Sequence, residues 1–107
     1  MLIKPICENY FDANGMPEGG VAFGPGFAIS WQRGPLGTGV DRKDPNGAFV
    51  ESVIDAALQR IEWYQESGFA CDENAEAIEH LQLALEALDR RTQRRTDAGV
   101  EGTHRGS

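Results

Sequence analysis

The sequence predicts an α+β protein in which a small N-terminal antiparallel β region precedes a long antiparallel two-helix hairpin. All five prolines and eight of the thirteen glycines lie in residues 1–45, where they exclude a long helix. Residues 46–107 contain no proline and carry apolar side chains at helical spacing. A chain of 107 residues has room for one small domain with an ordered hairpin, but not for two independent cores.

The β region is predicted from short apolar stretches separated by turn residues. Leu2–Cys7, Val21–Phe23 and Phe27–Trp31 are such stretches, and Gly24-Pro25-Gly26 between the last two is typical of a turn. The pattern indicates a hairpin or a three-stranded sheet. Alternation along the last stretch predicts that the large side chains are buried, namely Phe23, Phe27, Ile29 and Trp31.

A first helix is predicted over residues 46–66. Asn46 follows a proline and is a plausible N-cap, and Gly68 stands where a left-handed residue commonly ends a helix. The apolar positions recur at helical spacing, so one face is expected to pack on a second element. These positions are Val50, Val53, Ile54, Ala57, Ile61 and Tyr64.

A second helix is predicted from about Asp72 to Asp97. Asp72 and Glu73 place negative charge at its positive end, and Gly99 is expected to close it. The connection between the helices is short, so they should pack antiparallel. The apolar face follows a three–four spacing through Asn74, Ile78, Leu81, Leu85 and Leu88.

The predicted domains are a small β-rich region, residues 1–45, and a helical hairpin with a C-terminal tail, residues 46–107. A hairpin of this size buries little apolar surface on its own. We therefore expect the chain to assemble as a homo-oligomer.

The composition excludes several function classes. The net charge of −7 disfavours binding to a nucleic acid polymer, and no apolar run is long enough to span a bilayer. The start has no signal-peptide pattern, and two widely separated cysteines favour a reducing cytoplasm. No phosphate loop, zinc-ligand spacing or catalytic constellation is present, so we predict no metal, no cofactor and no enzymatic activity.

The charge distribution indicates an anion site. Residues 46–89 have a net charge of −9, yet residues 90–107 have a net charge of +3. Arginine forks bind phosphate in a bidentate manner, and two i, i+4 rows of arginines occur on the second helix. The rows are Arg91 with Arg95, and Arg90 with Arg94. An alternative is that the arginines only stabilise the negative end of the helix dipole and pair with nearby acidic groups.

Two residues near the predicted turn complete the candidate site. Tyr64 could stack on a base, and Asn74 could hydrogen-bond a base edge or a ribose. An antiparallel hairpin brings these two together but leaves the arginines one helix length away. All of them can meet at one ligand only if chains associate antiparallel. Alternatively, Tyr64 is a core residue of the hairpin and Asn74 satisfies a backbone group in the first helical turn.

A series of short motifs runs through most of the chain. The motifs are Ile29–Pro35, Asn46–Glu51, Arg60–Gln65, Phe69–Asn74, Leu88–Thr92, Arg95 and Gly99–His104. In this order they resemble a phage family of helical-hairpin sponge proteins that disarm nucleotide-signalling immunity, and the resemblance covers roughly residues 29–104.

Two branches of that family share the hairpin. The Thoeris anti-defence sponge has an N-terminal β region, as this chain is predicted to have, and captures glycocyclic ADP-ribose made by a TIR-domain protein. The anti-CBASS sponge has a short helical N-terminus and captures cyclic di- and trinucleotides. The resemblance implies a homodimer to homohexamer that binds its ligand between protomers, in the cytoplasm of the infected bacterial host.

The resemblance also implies roles for individual residues. Tyr64 would stack on adenine, at a place where the family more often has phenylalanine. Asn74 would hydrogen-bond the ligand, and Arg91 and Arg95 would hold its phosphates. Gly102 and Thr103, in the closing segment, would cover the pocket.

Two further hypotheses stand beside the glycocyclic ADP-ribose sponge and the anti-CBASS type of sponge. One is a structural oligomeric hairpin that binds a protein partner. The other is an enzyme that degrades the signal, although no nucleophile, metal site or catalytic dyad supports it.

Overall fold

The computed structural model describes residues 2–98 and confirms the α+β class. Within this range, three strands precede one 3₁₀ turn and two long helices. The predicted helix end at Gly99 and the predicted pocket residues Gly102 and Thr103 lie outside the described residues. The elements are β1 (Ile6–Phe11), β2 (Pro17–Gly24), β3 (Phe27–Trp31), the 3₁₀ turn (Gly39–Asp41), α1 (Val50–Gln65) and α2 (Asp72–Asp97).

Contacts divide the described chain into two compact units. Residues 2–49 form a unit that contains the strands, and residues 50–98 form a unit that contains the helices. Within residues 2–98, neither helix combines the length with the apolar character that crossing a membrane requires.

The strands form one antiparallel sheet in the order β1-β2-β3. Ala22, on the central strand, is flanked by Cys7 and Ile29 in the register and is only 6% exposed. The prediction that Phe23 and Phe27 are buried is wrong, because each is 42% exposed. In a single three-stranded layer, the neighbouring side chains are enough to cover a small central side chain. Large rings project beyond these neighbours and stay exposed.

Ile29 and Trp31 are half-buried, which is less than predicted. In this unit Leu36 is buried along with Ala22. The apolar core of the sheet unit is therefore small, as expected for a sheet of this size.

The prediction that Asn46 caps a helix starting there is wrong, since α1 begins at Val50. The Asn46 Oδ1 accepts from the Arg33 backbone N–H at 2.8 Å, and Asn46 Nδ2 donates to the Arg33 carbonyl at 3.2 Å. The Asn46 backbone N–H donates to Gln32 Oε1 at 2.8 Å. Asn46 is thus occupied with the chain after β3, which keeps it outside the helix.

The helical unit is a hairpin in which α1 packs on α2. The predicted stripe of α2 is confirmed, because Ile78, Leu81, Leu85 and Leu88 are all half-buried. On α1 the predicted positions Val53, Ile54, Ile61 and Tyr64 are half-buried, as expected. Val50 and Ala57 are exposed instead, and the buried Leu58 was not predicted.

The prediction that Gly68 ends α1 in a left-handed conformation is also wrong. Gly68 does not have a positive φ. The Ser67 hydroxyl donates to the Tyr64 carbonyl at 2.7 Å and accepts from the Phe69 backbone N–H at 3.2 Å. A serine side chain therefore closes the helix by satisfying backbone groups that a left-handed glycine often satisfies through its own N–H.

Two glycine substitutions test the close approach of Gly47 to Trp31 and the backbone conformation of Gly68. A Cβ on Gly47 would lie 2.6 Å from the carbonyl carbon and oxygen of Trp31, whereas a Cβ on Gly68 would meet no atom within 4 Å. We expect Gly47→Ala to lower the free energy of unfolding by about 1–3 kcal/mol. Gly68→Ala should raise it by about 0.4–1 kcal/mol, because its backbone is compatible with alanine. Urea unfolding of both variants measures these changes, and equal effects would contradict the description.

Candidate functional site

A pocket lies at the turn that joins the two helices. It has a volume of about 450 Å³ and is lined by Tyr64, Phe69, Cys71 and Asn74. This volume is within the range of about 300–1,000 Å³ that small-molecule sites occupy. The pocket is shallow and largely open to solvent.

Tyr64 lies in the last turn of α1 and forms one wall of the pocket. The edge of one ring meets the face of the other between Tyr64 and Phe69, with centroids 6.2 Å apart and an interplanar angle of 86°. Trp63 lies beside Tyr64 at a centroid distance of 5.5 Å. These aromatic contacts hold the Tyr64 ring at the pocket. The edge-to-face geometry with Phe69 is one that aromatic pairs prefer.

The backbone of the turn is held by side-chain hydrogen bonds. Besides the two bonds of Ser67, Gln65 Oε1 accepts from the Cys71 backbone N–H at 2.9 Å. Cys71 is the N-cap residue of α2 and makes no side-chain capping bond itself. Gln65 thus ties the end of α1 to the start of α2, at the turn where the pocket lies.

Asn74 also lines the pocket, from the first turn of α2. Its Nδ2 donates to the Phe69 carbonyl oxygen at 3.1 Å. Its Oδ1 makes no hydrogen bond within residues 2–98. Asn74 therefore both satisfies a backbone group and presents an acceptor.

The arginines lie far from this pocket within one chain. Arg91 is 17 residues beyond Asn74 on α2, which is about 26 Å along the axis. Its side chain is exposed and makes no ion pair within residues 2–98. Arg95 is 8% exposed and takes part in an interaction of its own. The structure thus brings Tyr64 and Asn74 together, but not Arg91 or Arg95.

Three residues around the pocket were not predicted as site residues. Phe69 and Cys71 line it directly, and the motif Phe69–Asn74 carried the signal that could have found them. The third is Arg60, whose Nε donates to the Tyr64 hydroxyl at 3.2 Å. Its signals in the sequence were its place at the start of the motif Arg60–Gln65 and its position four residues before Tyr64.

Metal chemistry has no obvious location here. Residues 2–98 contain no group of three or more His, Cys, Asp or Glu side chains that could hold a metal ion. The thiols of Cys7 and Cys71 are free and exposed. The pocket offers a ring face, an amide oxygen and a thiol, which suits the binding of a planar polar molecule.

The fold and the pocket define the class as a small β region joined to a helical hairpin, with a pocket at the hairpin turn. Residues 27–93 match the family model described as "Acb2/Tad1, hairpin domain". This match covers more than half of the chain, so the protein belongs to the Acb2/Tad1 hairpin-domain family. The resemblance stated from the motifs is confirmed.

The chain is also similar to a protein named "Thoeris anti-defense 1" from Bacillus phage SBSphiJ7. The two are 41% identical over 76 residues, which is 71% of this chain and 51% of that protein. The chain therefore spans about half the length of this relative.

Two glutamine substitutions on α1 test whether the hydrogen bond of Gln65 stabilises the turn at the pocket. Gln65→Ala removes the acceptor of the Cys71 N–H, and we expect the free energy of unfolding to fall by about 0.5–2 kcal/mol, as for a lost helix cap. Gln59 bonds only Asp55 on the same exposed helix face, at 2.7 Å, so Gln59→Ala should cost about 0.2–0.5 kcal/mol. Urea unfolding measures the free energy of unfolding of both variants. A loss for Gln65→Ala no larger than that for Gln59→Ala would contradict a stabilising role of the Gln65 bond.

Proposed function

We propose that this protein is an anti-defence sponge. It binds a cyclic nucleotide immune signal of the glycocyclic ADP-ribose type and holds it without cleaving it, so that the effector is not activated. The observation that carries the proposal is the pocket in which Tyr64 and Asn74 face one space at the hairpin turn. Membership of the Acb2/Tad1 hairpin family and the similarity to a Thoeris anti-defence protein support it.

The pocket supplies recognition of the nucleoside part. In the proposal the adenine stacks on the Tyr64 ring, a contact worth about 1–3 kcal/mol per base. The unpaired Oδ1 of Asn74 accepts a hydrogen bond from the amino group of the base or from a ribose hydroxyl. Phe69, which is 72% exposed, provides further apolar surface beside the base.

The phosphates of the ligand require positive charge. The arginines of α2 lie far from the pocket of their own chain. Arg91 lies about 26 Å from Asn74 along the helix, so in the proposal it reaches the ligand from a second, antiparallel chain. Arg95 is buried, so its predicted contact with the ligand requires its surroundings to rearrange on binding. Gly102 and Thr103 are proposed to cover the pocket.

The burial of the hairpin supports such self-association. Among residues 50–98, Leu58 is the only buried hydrophobic side chain, and the stripe of α2 is no more than half-buried. A second hairpin packed against this face would complete the burial, as apolar helix faces generally require. In the proposal this assembly is a homodimer or a higher homo-oligomer acting in the cytoplasm of the infected host.

A capture-and-release assay tests the function. The protein is incubated with glycocyclic ADP-ribose or, separately, with cyclic di- and trinucleotides, and free ligand is measured before and after the protein is heated. We expect glycocyclic ADP-ribose to disappear and to return unaltered. Capture of the oligonucleotides alone would favour the anti-CBASS type of sponge.

Two other results would overturn the proposal. Altered ligand would indicate an enzyme. Ligand that never leaves solution would favour a hairpin that binds a protein partner.

The variants Tyr64→Ala, Asn74→Ala and Arg91→Ala should each weaken capture, the last by about 10- to 150-fold if a charged hydrogen bond is lost. Arg90→Ala is the matched control, because its side chain lies about 100° away around the same helix.

A further inference from the structure

Arg60 is the one lysine or arginine among residues 46–89, a segment with ten acidic residues. It is exposed, and yet it forms no ion pair with any carboxylate within residues 2–98. An arginine in such an acidic segment would ordinarily be expected to pair with a carboxylate at i±3 or i±4. Its guanidinium instead contacts the rings of Trp63 and Tyr64, of which Tyr64 lines the pocket.

The contacts of Arg60 leave most of its hydrogen-bonding capacity available. The guanidinium carbon lies 4.6 Å from the ring centroid of Trp63 and 5.0 Å from that of Tyr64. Nε donates to the Tyr64 hydroxyl at 3.2 Å. A guanidinium has five N–H donors, so the four on its two terminal nitrogens have no partner within residues 2–98.

These terminal donors form the fork that binds phosphate in a bidentate manner. Contact with the aromatic rings and the Nε bond restrain the plane of the guanidinium without using that fork. Because Nε bonds the hydroxyl of Tyr64, the fork lies beside a residue that lines the pocket. The geometry thus places a pre-oriented phosphate-binding group next to the proposed base-stacking ring.

We propose that Arg60 is a phosphate-binding residue of the pocket, supplied by the same chain as Tyr64 and Asn74. The inference rests on the proposed function, since the ligand is a nucleotide whose base stacks on Tyr64. A phosphate adjoining the stacked nucleoside binds the terminal nitrogens of Arg60. The hydroxyl of Tyr64 then has a role that a phenylalanine could not fill, because it accepts from Nε and holds the guanidinium in place.

The test measures the affinity of the full chain for glycocyclic ADP-ribose by calorimetry, at low and at high salt. Arg60→Gln, Arg60→Lys and Tyr64→Phe are compared with the wild type. Arg33→Gln is the control, because it removes one charge from an exposed arginine of the sheet unit. Circular dichroism shows whether each variant keeps its helices.

We expect Arg60→Gln to weaken binding about 10- to 100-fold at low salt and by less at high salt, because screening reduces a contact between exposed charges. Arg60→Lys should retain part of the affinity, and Tyr64→Phe should lose a few-fold.

Two results would overturn the inference. The first is an affinity of Arg60→Gln equal to that of Arg33→Gln. The second is a loss that does not depend on salt and is equal for Arg60→Lys, which would mean that Arg60 only positions Tyr64. If Arg60→Gln loses its helices, the salt dependence of Arg60→Lys decides between the two roles. A wild type that does not bind the ligand would instead overturn the proposed function.

Discussion

The six residues between Gln65 and Asp72 determine where every side chain of the candidate pocket lies. A connection this short forces α1 and α2 to run antiparallel, which places the end of one helix beside the start of the other. Hydrogen bonds between backbone groups and the side chains of Ser67 and Gln65 then fix the turn. Tyr64 and Asn74 face the same space because of this turn, although ten residues separate them.

The same geometry separates the base-recognising end of the hairpin from its arginine end. Arg91 is about 26 Å from Asn74 along α2, and the intervening segment is strongly acidic. Under the proposed function, two antiparallel copies resolve this separation, since each brings its arginine end to the other's turn. Arg60 would then supply positive charge from the near side of the pocket, and Arg91 from the far side.

Periodicity alone predicted α2 and its buried face correctly, because a three–four spacing over 26 residues allows few other structures. The antiparallel hairpin, and with it the proximity of Tyr64 to Asn74, followed from the short connection. Asn46 and Gly68 were misinterpreted because their local patterns suit helix ends. Asn46 instead bonds to the chain after β3, and Ser67 took the role expected of Gly68. The contact between Arg60 and the Tyr64 hydroxyl depends on side-chain rotamers, which spacing does not specify.

The central claim is that one ligand site combines Tyr64 and Asn74 of one chain with Arg91 of another. Co-expression of Asn74→Ala and Arg91→Ala chains in equal amounts tests it most directly, by the number of tight sites for glycocyclic ADP-ribose in calorimetry. In a two-fold symmetric dimer each mixed pair regains one intact site, so we predict tight binding at roughly a quarter of all sites. Each variant alone should show none. A mixture that binds no more tightly than the two separate variants would contradict the claim.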